Sequence, residues 1–240
     1  TRIYSVLLLA CAFLVSCGDD EGFTSSPIPS GLLTVVNAIP ASPELTITTN
    51  NLSTGTLAFG GVVGATTVLP QIPLDFRVSF FNDGVDQTVI QSELTLDIDF
   101  SQIVVLTGTV ASATAVSIIE PPFTYPDDST DTRIRFMNAS TNVASATLVL
   151  TNPNASNATV AMTRGQPTGF TTTTAGEGNQ IEIRDSSSDA LLWRSGDFEL
   201  SARGDRLFML IDYFGPGGQT VRMISIDDPS GLSPFQNEEL

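Results

Sequence analysis

The sequence has 240 residues, with 10 basic and 26 acidic side chains and no His, which gives a net charge of −16. Every basic residue is Arg, so the absence of His and Lys excludes Ser-His-Asp and Ser-Lys catalysis and metal sites built on His. The acidic charge opposes binding to nucleic acid or to an anionic membrane. Frequent Thr, Ser, Val and Ile, with scattered Gly and Pro, are typical of β-sheet and turns.

Residues 1–16 have the parts of a secretory signal: one positive charge at Arg2, an apolar core over residues 6–15, and small residues before a cysteine. The core is about half as long as a membrane-spanning helix. The run Leu14-Val15-Ser16-Cys17 resembles the lipobox of bacterial lipoproteins, whose cysteine becomes the lipidated first residue. The alternative is an ordinary signal peptide cut near residues 10–12, which leaves Cys17 as a free thiol.

The lipoprotein resemblance implies that residues 1–16 are removed and that Cys17 carries acyl chains. The mature chain then has 240 − 16 = 224 residues, with nine Arg against 26 acidic groups, 9 − 26 = −17. No disulfide is possible, because Cys11 leaves with the signal and Cys17 is acylated. Gly18, rather than Asp, follows the cysteine, which by the same resemblance favours the outer membrane, on its periplasmic or its surface-exposed face. The membrane is the expected partner, through the lipid anchor, and no cofactor is expected.

The rest of the chain repeats itself with a period of about 100 residues, which indicates two copies of one module. Asn37 recurs as Asn138, 138 − 37 = 101 residues later, within similar apolar runs. Residues 103–106 recur at 207–210 and residues 116–118 at 224–226. The repeat predicts the following division: polar tether 17–31, β-sandwich module 32–122, Pro/Asp-rich linker 123–131, β-sandwich module 132–229 and flexible tail 230–240.

Short alternating segments separated by turn residues predict strands in both modules. The predicted strands include residues 45–49, 76–80, 94–98, 103–106, 148–150, 181–183, 198–200 and 207–211. Residues 82–84, Asn-Asp-Gly, predict a hairpin turn, and the continuous apolar run at 103–106 predicts a strand buried on both faces. About seven short strands per module predict an all-β fold of two tandem antiparallel β-sandwiches resembling the immunoglobulin fold.

A strand of the form hydrophobic-x-hydrophobic-hydrophobic-Asn-Ala, found at residues 33–38 and 134–139, is followed by a short alternating strand and a turn with Gly. This arrangement resembles domain of unknown function 4397, and the resemblance covers most of residues 32–229. It implies a secreted or lipid-anchored bacterial protein and no established activity. Residues 142–144 depart from the family, which has an acidic residue and Pro in this loop.

Carboxylates are the remaining candidates for chemistry, because His and Lys are absent and Cys17 is expected to be acylated. Calcium is the more plausible ligand for them, because it needs only oxygen ligands. The candidate ligands are Asp127, Asp128, Asp131, Asp227 and Asp228. Asp beside Pro and Ser is also an ordinary turn residue, which is the interpretation that we prefer.

Asn37 and Asn138 lie at matching strand ends, where we expect their side chains to bond nearby backbone rather than a ligand. Trp193 has two interpretations, an exposed recognition residue beside Arg194 or a core residue, and we prefer the core.

The sequence therefore predicts a membrane-anchored lipoprotein of the cell envelope that is not an enzyme and that acts as a non-catalytic binding or structural module. The alternative is a calcium-binding or carboxylate-dependent carbohydrate-active protein, although few aromatic residues are available to stack on sugars.

Overall fold

The computed structural model describes residues 30–213 and 220–227, and within them the chain is all-β with several sheets. The predicted signal peptide, Cys17, nearly all of the tether, Asp228 and the predicted tail lie outside the described residues. Where the structure is described, no helix has the length and apolarity needed to cross a membrane.

The N-terminal half has eight strands in two four-stranded sheets. Outer sheet 1 has the order β3-β2-β5-β6 and inner sheet 1 the order β4-β1-β7-β8. The strands are β1 (Gly31–Asn37), β2 (Leu45–Thr49), β3 (Leu52–Leu57), β4 (Val62–Val68), β5 (Leu74–Asn82), β6 (Val85–Leu94), β7 (Ser101–Thr107) and β8 (Thr114–Glu120).

The C-terminal half repeats this strand order. Inner sheet 2 is β12-β9-β16-β17, and outer sheet 2 is β11-β10-β13-β14 with β15 also paired to β13. The strands are β9 (Asp131–Asn138), β10 (Ser145–Thr151), β11 (Ala158–Thr163), β12 (Thr171–Thr174), β13 (Gly176–Asp185), β14 (Leu191–Arg194), β15 (Phe198–Leu200), β16 (Asp205–Asp212) and β17 (Val221–Asp227). Residues 121–130 join the halves without regular secondary structure.

Each half has its own hydrophobic core between its outer and inner sheets. In the N-terminal half, Ile47 and Phe76 of outer sheet 1 pack with Val104 of inner sheet 1. In the C-terminal half, Trp193 of outer sheet 2 packs with Phe208 of inner sheet 2. The core position predicted for Trp193 is therefore confirmed, because only 1% of this residue is exposed.

A third core lies between the two inner sheets. Ile103 and Val105 of β7 point away from the N-terminal core and pack with Leu207, Met209 and Ile211 of β16. The four sheets are therefore stacked in the order outer 1, inner 1, inner 2, outer 2. This stacking explains why residues 103–106 have no alternation: as predicted, they are buried on both faces, and the second face lies against the other half.

The prediction of purely antiparallel sheets is wrong for one pair of strands in each half. β1 and β7 pair in parallel, from Leu32 with Ser101 to Asn37 with Leu106, and β9 and β16 do the same. Parallel strands are usually covered on both faces, and here an outer sheet and the opposite inner sheet supply the cover. The remaining pairings between named strands are antiparallel.

Two predictions for the N-terminal half have different outcomes. The turn at residues 82–84 is confirmed: Asn82 pairs with Val85, and Asp83 and Gly84 have positive φ angles of 49° and 81°, as a two-residue hairpin requires. The strand predicted at residues 94–98 is wrong, because β6 ends at Leu94 and the chain crosses to inner sheet 1. Residues 94–98 alternate in the sequence because the loop buries one apolar residue, Leu96, in the N-terminal core between exposed neighbours.

Candidate functional site

The most elaborate side-chain cluster of the described chain lies at one margin of the third core, where residues 121–126 meet β9. Phe123, Arg133, Phe170 and Arg135 form a stack in which guanidinium groups and rings alternate. The Arg133 guanidinium carbon lies 3.6 Å from the ring centre of Phe123 and 4.2 Å from that of Phe170, and Arg135 lies 4.0 Å from Phe170. We call these four residues the Arg–Phe stack.

β9 builds this stack because its residues alternate in direction. Ile134 and Phe136 point into the C-terminal core, so Arg133 and Arg135 point to the opposite face, toward the N-terminal half. Phe170 immediately precedes β12, whose first residue pairs with Ile134, and its ring therefore lies between the two guanidinium groups.

Two carboxylates balance the charges of the stack. Asp205, the first residue of β16, accepts hydrogen bonds from Arg133 Nε at 2.8 Å and from Arg133 Nη2. Glu120, the last residue of β8, lies 3.7 Å from Arg135 Nη1, so this ion pair joins the two halves. The hydrogen bond to Asp205 raises the pKa of Arg133, whereas burial lowers the pKa of Arg135.

Tyr125 fixes residues 121–126 to the C-terminal half. Its hydroxyl lies 2.8 Å from Gly204 O and 2.6 Å from Asp205 Oδ1, and it accepts a hydrogen bond from Arg133 N at 2.9 Å. Burial, followed by the hydrogen bond to Asp205, raises the pKa of Tyr125 to about 12. The charges of the cluster are paired within it, so its arrangement suits a clamp that fixes the connecting segment and the two inner sheets.

A second polar cluster lies at the opposite end of inner sheet 2. Asp212, at the end of β16, is fully buried and accepts hydrogen bonds from Ser140 Oγ, Thr141 N at 3.0 Å, Thr141 Oγ1 at 2.5 Å and Asn142 N at 3.3 Å. The carboxylate thus holds the loop between β9 and β10 against the end of β16.

The two repeated Asn residues behave as predicted. Asn37 Oδ1 accepts a hydrogen bond from Ile39 N at 3.0 Å, and Asn138 Oδ1 accepts one from Ser140 N at 3.1 Å. Asn138 Nδ2 donates to Val143 O at 2.9 Å. Neither Asn has exposed surface, so the prediction that they bond nearby backbone is confirmed.

Three of the five calcium candidates lie in or beside residues 121–130, which connect the halves. Asp127, Asp128 and Asp131 are exposed, and Asp127 lies 3.8 Å from Arg203. Asp227 pairs with Arg206 through the backbone of β17, and Asp228 lies outside the described residues. In the ranges 30–213 and 220–227, no three acidic or Cys side chains are grouped as a metal site requires.

An open cavity of about 470 Å³ lies beside β15 in outer sheet 2, lined by Glu177, Gly178, Asp197, Phe198 and Glu199. Gln180 Nε2 donates to Asp197 Oδ1 at 2.6 Å across the adjoining surface. Three carboxylates give this cavity an acidic lining, and none of its lining residues was predicted as a site residue from the sequence.

The Arg–Phe stack and the roles of Tyr125 and Asp212 were likewise not predicted from the sequence. One signal was available: Arg133 and Arg135 alternate with Ile134 and Phe136, which places two cations on the face of a central strand. Phe170 and Asp205 make those cations a cluster, but Phe170 follows Arg135 by 170 − 135 = 35 residues and Asp205 follows Arg133 by 205 − 133 = 72 residues.

No protein-family model matches the chain, and no curated protein matches it significantly.

Proposed function

We propose that this chain is a lipid-anchored protein of the bacterial cell envelope whose folded part is a non-catalytic binding or structural module. The observation that carries the proposal is the run Leu14-Val15-Ser16-Cys17 after an apolar core, followed by a polar segment that leads into the β-sheet body at Gly31. By resemblance to lipoproteins with Gly after the cysteine, we assign the outer membrane.

We further infer that the halves are tandem immunoglobulin-like modules related to domain of unknown function 4397. The identical order of four strands in each inner sheet supports a duplication, as do the equivalent roles of Asn37 and Asn138. The parallel pair in each half departs from a purely antiparallel sandwich.

A structural or binding role is also supported by how the polar clusters are used. Arg133, Arg135 and Asp212 bond to neighbouring chain segments, and the third core joins the halves into one stacked body. A protein that displays a surface from a membrane benefits from such a body, because one attachment point then holds both halves at the membrane.

The test is mass spectrometry of the native protein extracted from membranes. We expect an N-terminal peptide that begins at Cys17 and carries the mass of its acyl chains. The Cys17→Ser variant should move from the membrane fraction to the soluble fraction, whereas Asp128→Asn should stay with the membrane. A native protein that is released to the medium with an unmodified Cys17 thiol would overturn the proposal.

A further inference from the structure

Four exposed aliphatic side chains lie in or beside the loops at one end of the N-terminal half. Leu52, Leu69, Ile72 and Ile98 have 72%, 60%, 53% and 41% of their surface exposed. Leu52 comes shortly after the end of β2, Leu69 directly follows β4, Ile72 precedes the start of β5, and Ile98 follows the end of β6. These four strand termini lie at the same end of the half as the start of β1. We call these four residues the apolar rim, and this end of the half the near end.

Hydrogen bonds between loops hold the near end together. Asn50 N donates to Asp75 O at 2.8 Å, which ties the turn before Leu52 to the start of β5. Gln71 N donates to Leu96 O at 2.7 Å, which ties the loop that carries Ile72 to the loop that carries Ile98. The four side chains therefore belong to one connected set of loops.

The chain also enters the fold at the near end. Asp99 N donates to Ser30 O at 2.9 Å, so the residue before β1 is bonded to the loop that carries Ile98. Cys17 precedes Ser30 by 30 − 17 = 13 residues, and a chain of this length reaches at most about 45 Å even when it is fully extended. An acyl anchor on Cys17 therefore holds the apolar rim close to the lipid surface.

We propose that the apolar rim contacts the surface of the bilayer that holds the acyl anchor. This inference rests on the proposed lipidation of Cys17. Four isolated aliphatic side chains give a contact too weak to bind a free protein to membranes. Tethering makes the contact intramolecular, so its effective concentration reaches the millimolar range and a weak contact becomes populated.

The charges of the near end select the lipid. Asp97 and Asp99 are exposed in the same loop as Ile98. Asp75 of β5 and Glu93 of β6 occupy opposite positions on neighbouring strands beside this loop. An anionic surface repels these carboxylates, so the rim is suited to a zwitterionic phospholipid surface.

The experiment uses the acylated chain in phosphatidylcholine vesicles. Cys17 is blocked by acylation, so Ile72→Cys supplies a single thiol for an environment-sensitive fluorophore. Lipids with a spin label near the headgroup quench a fluorophore only at the membrane surface. The matched control is Phe81→Cys, which is 75% exposed at the other end of β5, roughly 27 Å away.

We expect strong quenching of the fluorophore at residue 72 and little at residue 81. In the Ile72→Cys background, Leu69→Ser combined with Ile98→Ser should reduce the quenching several-fold, and replacing part of the phosphatidylcholine with an anionic lipid should reduce it until salt is added. Equal, weak quenching at both residues in a chain that floats with the vesicles would overturn the contact and leave the anchor in place.

Two further results would count against the inference. A chain that does not float with vesicles, and whose Cys17 is unmodified by mass spectrometry, overturns both the lipid anchor and the contact that rests on it. A fluorophore at residue 72 that reports an apolar environment without lipid quenching, together with cross-linked dimers, places a second copy of the chain on the rim and overturns the membrane contact.

Discussion

Polar side chains without exposed surface mark the points at which the central strands end. Asn37, Asn138 and Asp212 are each fully buried, and each accepts hydrogen bonds from the backbone of the segment that follows a strand. Asn37 and Asn138 occupy equivalent positions. Asp212 has no such equivalent, because the residue 212 − 104 = 108 is Gly, with a φ angle of +93°.

The two halves therefore close the same end in different ways. In the N-terminal half, Ile39 is buried in the core and holds the corresponding loop by an apolar contact. In the C-terminal half, Ser140 and Thr141 are bonded by the Asp212 carboxylate instead. The loop after β1 is thus held by an apolar contact, and the equivalent loop after β9 is held by hydrogen bonds.

Asp212→Asn should lower the free energy of unfolding by about 2–3 kcal/mol, because the amide nitrogen then faces the backbone N–H of Thr141 or of Asn142, whichever oxygen it replaces. Urea denaturation followed by circular dichroism measures this loss. Asp128→Asn, which changes an exposed side chain by the same atoms, serves as the control and should leave the midpoint unchanged. Equal midpoints for the two variants would show that the buried carboxylate contributes no stability.

At the scale of the element, alternation of apolar and polar residues identifies strands correctly in most places but also occurs in a loop. β2 and β5 follow the alternation of their residues closely. The segment after Leu94 alternates in the same way, but the chain must cross between sheets there, and Asp99 adopts a positive φ angle of 62°. A loop whose one apolar residue plugs the core is indistinguishable from a strand in sequence.

The parallel pairing of β1 and β7 was within reach of the sequence. Residues 103–106 are apolar throughout, and such runs are typical of parallel strands covered on both faces. The sheet that covers the second face could not be predicted from the sequence, because it belongs to the other half and contacts β7 only through the stacking of the inner sheets.

The connecting segment, residues 121–130, is bonded to the folded body, which the sequence did not predict. The sequence predicts only a Pro/Asp-rich linker at residues 123–131, whereas Phe123 and Tyr125 attach this segment to the C-terminal half through Arg133 and Asp205. Neither partner is near in sequence to the other, so the attachment depends on β9 and β16 being neighbours.

Titration of Tyr125 tests this attachment. Its pKa is raised from 10.0 to about 12, so the folded state binds the phenolic proton more tightly than the unfolded state. The resulting stabilisation is complete below pH 10 and is lost as the pH rises from 10 to 12. The difference in near-ultraviolet tyrosinate absorbance between wild type and Tyr125→Phe should therefore have its midpoint near pH 12.

The companion measurement is stability against pH. Between pH 10 and 12, the free energy of unfolding of wild type should fall more steeply than that of Tyr125→Phe, which has no phenol to titrate at this position. A difference titration with a midpoint near pH 10 would indicate that the segment is detached in solution.

At the scale of the whole molecule, three cores share four sheets. Each inner sheet contributes one face to the core of its own half and the other face to the third core, so the strands β7 and β16 belong to two cores at once. Arg135 and Glu120 add an ion pair across the same boundary. A disturbance in either outer layer should therefore reach the opposite layer through the inner sheets.

Ile47→Ala tests this coupling. Ile47 is fully buried in the N-terminal core, and its truncation should cost about 2–5 kcal/mol. Trp193, the single Trp of the chain, lies in the core of the other half and reports unfolding there by fluorescence. If the third core couples the halves, the urea midpoint of Trp193 fluorescence falls together with that of circular dichroism, in one transition.

Leu52→Ala provides the control for Ile47→Ala, because it truncates an exposed aliphatic residue on the adjacent strand β3 and should leave both midpoints unchanged. Independent halves give a different result for Ile47→Ala: circular dichroism would then separate into two steps, and the Trp193 midpoint would equal that of wild type. In that case the third core would be a contact between separately folding units, and the anchored body would bend at its centre.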